Sequence, residues 1–173
     1  MRHFAHAALI AALLAACLGA AGDTHRPANV LHPYFAKVAD KGFPVGGWAF
    51  RDGTGAVDVA GSGEVTRYDF DEEGAMTSRP APRDYNRVAL RLARFSAADS
   101  ARAAAERVDE GEEVRAVTMV TEGTSGMFLA AVYKNQKYVG KHRFLMDDGR
   151  WDGYEDAIGE RDPLGPRENK EGR

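Results

Sequence analysis

Cysteine occurs once in the 173 residues, at Cys17. A lone thiol excludes a disulfide within the chain and any zinc site built on paired cysteines. Charge of one sign is equally absent: 23 Lys and Arg stand against 26 Asp and Glu, for a formal net charge of −3. General nucleic-acid binding requires a strong basic excess, so no nucleic-acid partner is expected. Histidine is scarce, and beyond residue 16 the imidazole bases are His25, His32 and His142. Neither Gly61-Ser62-Gly63 nor Thr124-Ser125-Gly126 matches the Gly-x-Ser-x-Gly turn of an activated serine. No apolar run reaches the ~20 residues that cross a membrane.

One metal-like pattern occurs and is incomplete. Asp69-Phe70-Asp71-Glu72-Glu73-Gly74 places acids at positions 1, 3 and 5 and Gly at 6, as a calcium loop does, but position 12 is Pro80. The flanks read as strands, so the segment is expected to be an acidic hairpin turn. No metal, no cofactor and no catalytic residue is expected.

The N-terminus is the most specific part. Arg2 is followed by an apolar run from Ala7 to Ala16, then by Cys17 directly after Leu14-Ala15-Ala16. A short apolar run between a positive start and small residues has the form of a signal peptide. These residues resemble the signal peptide and lipobox of bacterial lipoproteins. The resemblance implies cleavage between Ala16 and Cys17, a diacylglyceryl thioether on Cys17 and acylation of the new amino terminus. Several acyl chains give stable membrane attachment where one does not. Leu18 follows instead of Asp, which in Gram-negative members of that class implies the outer membrane, facing the periplasm. The alternative is an ordinary secretory signal cut near Ala20-Ala21 or Gly22.

The expected organisation is a signal peptide at 1–16, a lipid anchor and tether at 17–30, one α+β domain at 31–154 and a disordered tail at 155–173. His32-Pro33 opens a short helix that Gly42 ends. Two hairpins follow, around Arg51 to Gly55 and around Asp71 to Gly74. Arg87 to Phe95 alternates, with Val88, Leu90 and Leu92 on one side and Arg87 and Arg91 on the other, and reads as a strand. Ser96 with Asp99 is a capping-box variant that starts a helix running to about Asp109 or Glu110. Val114 to Thr121 is the next strand. A last hairpin joins Met127–Lys134 to Lys137–Met146, with Tyr133 opposite Tyr138, Leu129 opposite His142 and Met127 opposite Phe144. Trp151 is expected to pack on the core. The fold class is α+β: an antiparallel or mixed sheet, one main helix on one face and a short N-terminal helix.

If the main helix covers the Val88 side, the other sheet face collects Arg87, Arg91, Lys137, Lys141 and Arg143, with Arg115 able to join. Cations among small residues suit an anionic polymer, and the same pattern also suits a plain solvated sheet face. Tyr85 to Val132, with its strand, Ala-rich helix and strand, resembles the first half of a SPOR domain. That family binds glycan strands of peptidoglycan across its sheet, and its second helix is replaced here by the turn at 134–137. The reading is an envelope lipoprotein that is not an enzyme. It binds an envelope protein or peptidoglycan through Arg87, Arg91, Lys141 and Arg143. The alternatives are a periplasmic hydrolase using two carboxylates and a structural subunit of an envelope complex.

Overall fold

The computed structural model describes residues 28–122, 125–145, 151–156 and 162–165. Helix α1 covers His32–Lys37, and the strands β1 (Phe43–Ala49), β2 (Gly55–Ala60), β3 (Val65–Phe70) and β4 (Met76–Pro80) follow. Helices α2 (Arg87–Leu92) and α3 (Ala97–Ala105) precede β5 (Glu112–Glu122), β6 (Ser125–Lys134), β7 (Lys137–Leu145) and β8 (Trp151–Asp156). The strands form one eight-stranded sheet in the order β4-β3-β2-β1-β5-β6-β7-β8. Every ladder is antiparallel. Two four-stranded meanders are thus joined along β1 and β5, and a helix precedes each. This is the α+β sheet-and-helix class read from the sequence.

The helices cover one sheet face because only small or apolar residues meet there. Leu31, Phe35 and Val38 of the first helical segment join Ala97, Ala101 and Ala104 of α3 over Val45, Val57, Val114, Val117, Phe128 and Val132. Alanine on the inner side of α3 lets its backbone approach β5 and β1 closely. Glycine does the same under α1: a Cβ on Gly47 would lie 2.6 Å from the Phe35 ring. The opposite face carries a second, smaller cluster of Trp48, Ala56, Ala116, Ala131 and Tyr133, against which Phe50, Tyr138 and Leu164 pack.

Several expectations are corrected. Arg87 to Leu92 is a helix, not a strand. Asn86 caps it, its side chain accepting from the N–H groups of Val88 and Ala89. Cap chemistry and helix-forming Ala, Leu and Arg outweigh the two-residue alternation of so short a segment. The SPOR-like order thereby loses its first strand. The capping box at Ser96 and Asp99 is present, but α3 stops at Ala105. The β6–β7 hairpin pairs Tyr133 with Tyr138 as expected, after which Val139 is bulged out and Val132 pairs with Gly140. Leu129 therefore meets Arg143, and Met127 meets Leu145, one position beyond the expected partners.

The domain is also longer at both ends than 31–154. Val114 donates its N–H to the Ala28 carbonyl at 2.6 Å, and Asn29 bridges Val114. At the other end β8 runs to Asp156. Asp162 accepts from the Tyr133 hydroxyl and, at 3.1 Å, from Arg51. The buried aromatic face supplies partners that a charged, proline-containing tail does not reveal by itself. The signal peptide and Cys17 lie outside the described residues, and Trp151 is placed by its backbone in β8, paired with Phe144.

Candidate functional site

The site begins with how α2 is seated. Ala89 is fully buried and Leu90 partly so, which turns Arg87, Val88, Arg91 and Leu92 outward. Arg87 and Arg91 are one helical turn apart and form a row on one side of that outward face. They line a cleft of about 640 Å³ at the end of the sheet where β1 begins. One wall is the β2–β3 turn, Gly61-Ser62-Gly63-Glu64; the other carries Arg83, Arg87 and Arg91. Phe43, Tyr85 and Leu90 supply apolar lining, and Asp84 adds a second carboxylate to that of Glu64. Arg83, Arg87 and Arg91 are all exposed, and among the described residues none is held in an ion pair.

The arginine-bearing wall is fixed to the sheet by a buried polar network. Asp58 and Arg67 are opposite one another in the β2–β3 ladder. Arg67 donates to both Asp58 oxygens, at 2.6 and 2.8 Å. Asp58 is 0% and Arg67 4% exposed. The guanidinium lies 4.6 Å from the Trp48 ring centroid, and a Cβ on Gly46 would collide with that ring. The Tyr85 hydroxyl donates to Asp58 Oδ2 at 2.6 Å. Tyr85 thus pins the segment between β4 and α2, which holds Arg83 and leads into Arg87. Paired in this way, the carboxylate and guanidinium avoid the penalty of lone buried charges.

Burial raises the Tyr85 phenol above its ordinary pKa, and the Asp58 carboxylate beside it raises it further. A phenol that keeps its proton in the folded state, while the unfolded chain releases one near pH 10, favours unfolding as pH rises. Stability is therefore expected to fall above pH 10 by up to about 1.4 kcal/mol per pH unit for this group. Tyr85→Phe should flatten that slope in urea titrations between pH 9 and 11. An unchanged slope would mean that Tyr85 ionises freely in the folded protein.

The structure separates the expected basic set. Arg87 and Arg91 stay together, on a helix and at the cleft. Lys141 and Arg143 stand on β7, paired with Ala131 and Leu129, and the cleft is lined by other residues. Arg115 is taken up by Glu113, 2.7 Å away. The common basic sheet face is therefore not formed. Ser62 of the first serine turn lies in the cleft wall, where the lining residues include no histidine. Asp69 to Gly74 forms the expected hairpin turn: Asp69 bonds to Arg79, and Asp71 accepts from the Ala75 N–H. Among the described residues no group of three or more His, Cys, Asp or Glu converges as a metal site would require.

Sequence reasoning missed Arg83, Tyr85 and the Asp58–Arg67 pair. The pair was accessible in principle. Once Gly61 to Glu64 is taken as the turn, hairpin register sets position 58 opposite 67. Arg83 and Tyr85 lie in a proline-flanked connection with no periodicity to read. Three exposed arginines lining one cleft beside apolar residues are suited to holding phosphate or carboxylate oxygens. No family model matches the chain, and no curated protein or solved structure matches it.

Proposed function

We propose that this chain is a membrane-anchored envelope lipoprotein and that its α+β domain is a non-enzymatic binding module. The module takes an anionic component of the envelope at the arginine-lined cleft. The carrying observation is that Arg83, Arg87 and Arg91, exposed and free of ion pairs among the described residues, share one wall of one cleft. The lipobox-like residues before Cys17 supply the anchor in this reading. Attachment there holds the domain at the outer membrane, facing the periplasm, so the ligand is one within reach of that surface.

The test is retention of the protein on purified envelope fractions, with wild type compared to Arg87→Glu/Arg91→Glu. Each guanidinium–anion hydrogen bond contributes about 1.5–3 kcal/mol, so losing two should weaken retention by at least about tenfold. Lys141→Glu, on β7, should change retention by less than about twofold. Equal retention of the wild type and the double arginine variant would mean that the cleft does not bind the envelope component.

A further inference from the structure

The outward face of α2 has two rows. Arg87 and Arg91 form one, and Val88 and Leu92 form the other, about 100° further round the helix. Val88 is 51% and Leu92 55% exposed. Among the described residues the other exposed large apolar side chain is Met76, on the edge strand β4. Two branched apolar side chains at adjacent turns are thus presented to the outside beside unpaired cations. Arg83 precedes this strip and Arg94 follows it, both exposed. The cleft is lined by Arg87 and Arg91 and leaves Val88 and Leu92 outside it.

We propose that this strip is the surface by which the domain lies on an anionic phospholipid bilayer. Val88 and Leu92 enter the headgroup layer, and Arg87 and Arg91, with Arg83 and Arg94 beside them, bind lipid phosphates. The proposal rests on the reading that the cleft arginines take an anionic envelope component, and it names that component. Charge complementarity favours a bilayer over a polysaccharide: phosphates supply the anions and acyl chains the apolar partner, side by side, as the two rows require. Glu64 and Asp84 are the acids lining the cleft, opposed there by three arginines.

The length of chain before the domain permits this orientation. Ala28 is bonded beside Val114, near the start of β5. The cleft lies at the other end of the sheet, since Gly46 pairs with Thr118 and Phe43 lies beyond it. That separation is about 20 Å along the strands. The steps from Cys17 to Ala28 reach at most about 35–40 Å when extended. An anchor at Cys17 and α2 can therefore meet the same membrane.

The experiment uses the processed chain beginning at residue 17 with Cys17→Ser, which removes both the apolar leader and the acyl chains. Sedimentation with phosphatidylglycerol-containing vesicles is compared with sedimentation on phosphatidylcholine vesicles and on purified peptidoglycan. The protein should bind the anionic vesicles, release them as salt rises and ignore the zwitterionic ones. Val88→Asp/Leu92→Asp and Arg87→Glu/Arg91→Glu should each lower the anionic binding by about tenfold or more. A Leu92→Trp variant should bind and show a blue-shifted emission on the vesicles. These positions are exposed, so circular dichroism should be unchanged in every variant. Undiminished vesicle binding by Val88→Asp/Leu92→Asp would overturn the proposal. Arginine-dependent retention on peptidoglycan without vesicle binding would overturn it while leaving the cleft reading intact. Binding to neither would remove both.

Discussion

Replacing Asp58 with alanine is expected to lower the stability of the folded protein by about 3–5 kcal/mol, the usual cost of leaving one member of a buried ion pair alone. The substitution strands the Arg67 guanidinium, 4% exposed, without its two short hydrogen bonds. It also takes from Tyr85 the acceptor that ties the arginine wall down. A paired replacement separates the charge effect from packing. Asp58→Leu/Arg67→Met removes both charges, and apolar replacement of a buried pair is often neutral or stabilising. Urea unfolding at pH 7 should therefore rank the double variant well above Asp58→Ala. A loss below about 1 kcal/mol for Asp58→Ala is the range of an exposed pair and would mean that the site is hydrated. Because Tyr85 connects this network to the cleft, Asp58→Ala should also weaken envelope retention, whereas the double variant should weaken it only through Tyr85.

The second large effect is at the contact between α1 and the sheet. Phe35 is 5% exposed and lies over Gly47 of β1. Phe35→Ala should cost about 3–5 kcal/mol, as truncation of a buried aromatic side chain does. Gly47→Ala should cost about 1–3 kcal/mol for the opposite reason, since the added methyl group meets the ring. The two changes share one volume. Combined, they should cost clearly less than the sum of the separate losses, because the alanine methyl occupies space that the ring has vacated. Additive losses in urea unfolding would show that α1 does not sit on Gly47 as described.

What could be read from residues alone follows the strength of local signals. Ser96 with Asp99 announced the start of α3, and the structure has the complete capping box. Asp71 to Gly74 and Asn135-Gln136 announced their turns, and both hairpins close there. Asn135 and Gln136 both take positive φ, as a tight two-residue hairpin turn requires. Arg87 to Leu92 failed because six residues of alternating size fit both periods, and only the Asn86 cap decides between them. The end of α3 failed because Gly111, at φ +79, closes the following turn and not the helix itself.

The candidate site was only half legible, for a related reason. Arg87 and Arg91 share a surface as the sequence suggests, but through helical spacing instead of strand alternation. Lys141 and Arg143 do not join them, because a shared sheet face needs Arg87 and Arg91 on a strand and they lie on a helix, while Lys141 and Arg143 stand on β7. Tyr85 and Asp58 are 27 residues apart, and nothing in either neighbourhood points to the other. The second cluster around Trp48 and Tyr133 was likewise hidden, because its cover includes Leu164 from a segment whose composition reads as tail.

Whether the arginine-lined cleft meets an anionic envelope component is decided by site-specific photocrosslinking in cells expressing the full chain. A photoreactive residue at Ser62, exposed in the cleft wall, is compared with one at Glu106, exposed after α3. Position 62 should give an adduct with an anionic envelope component that disappears in Arg87→Glu/Arg91→Glu and is absent from position 106. The same adducts from both positions, or an adduct at 62 that survives the arginine substitutions, would contradict it.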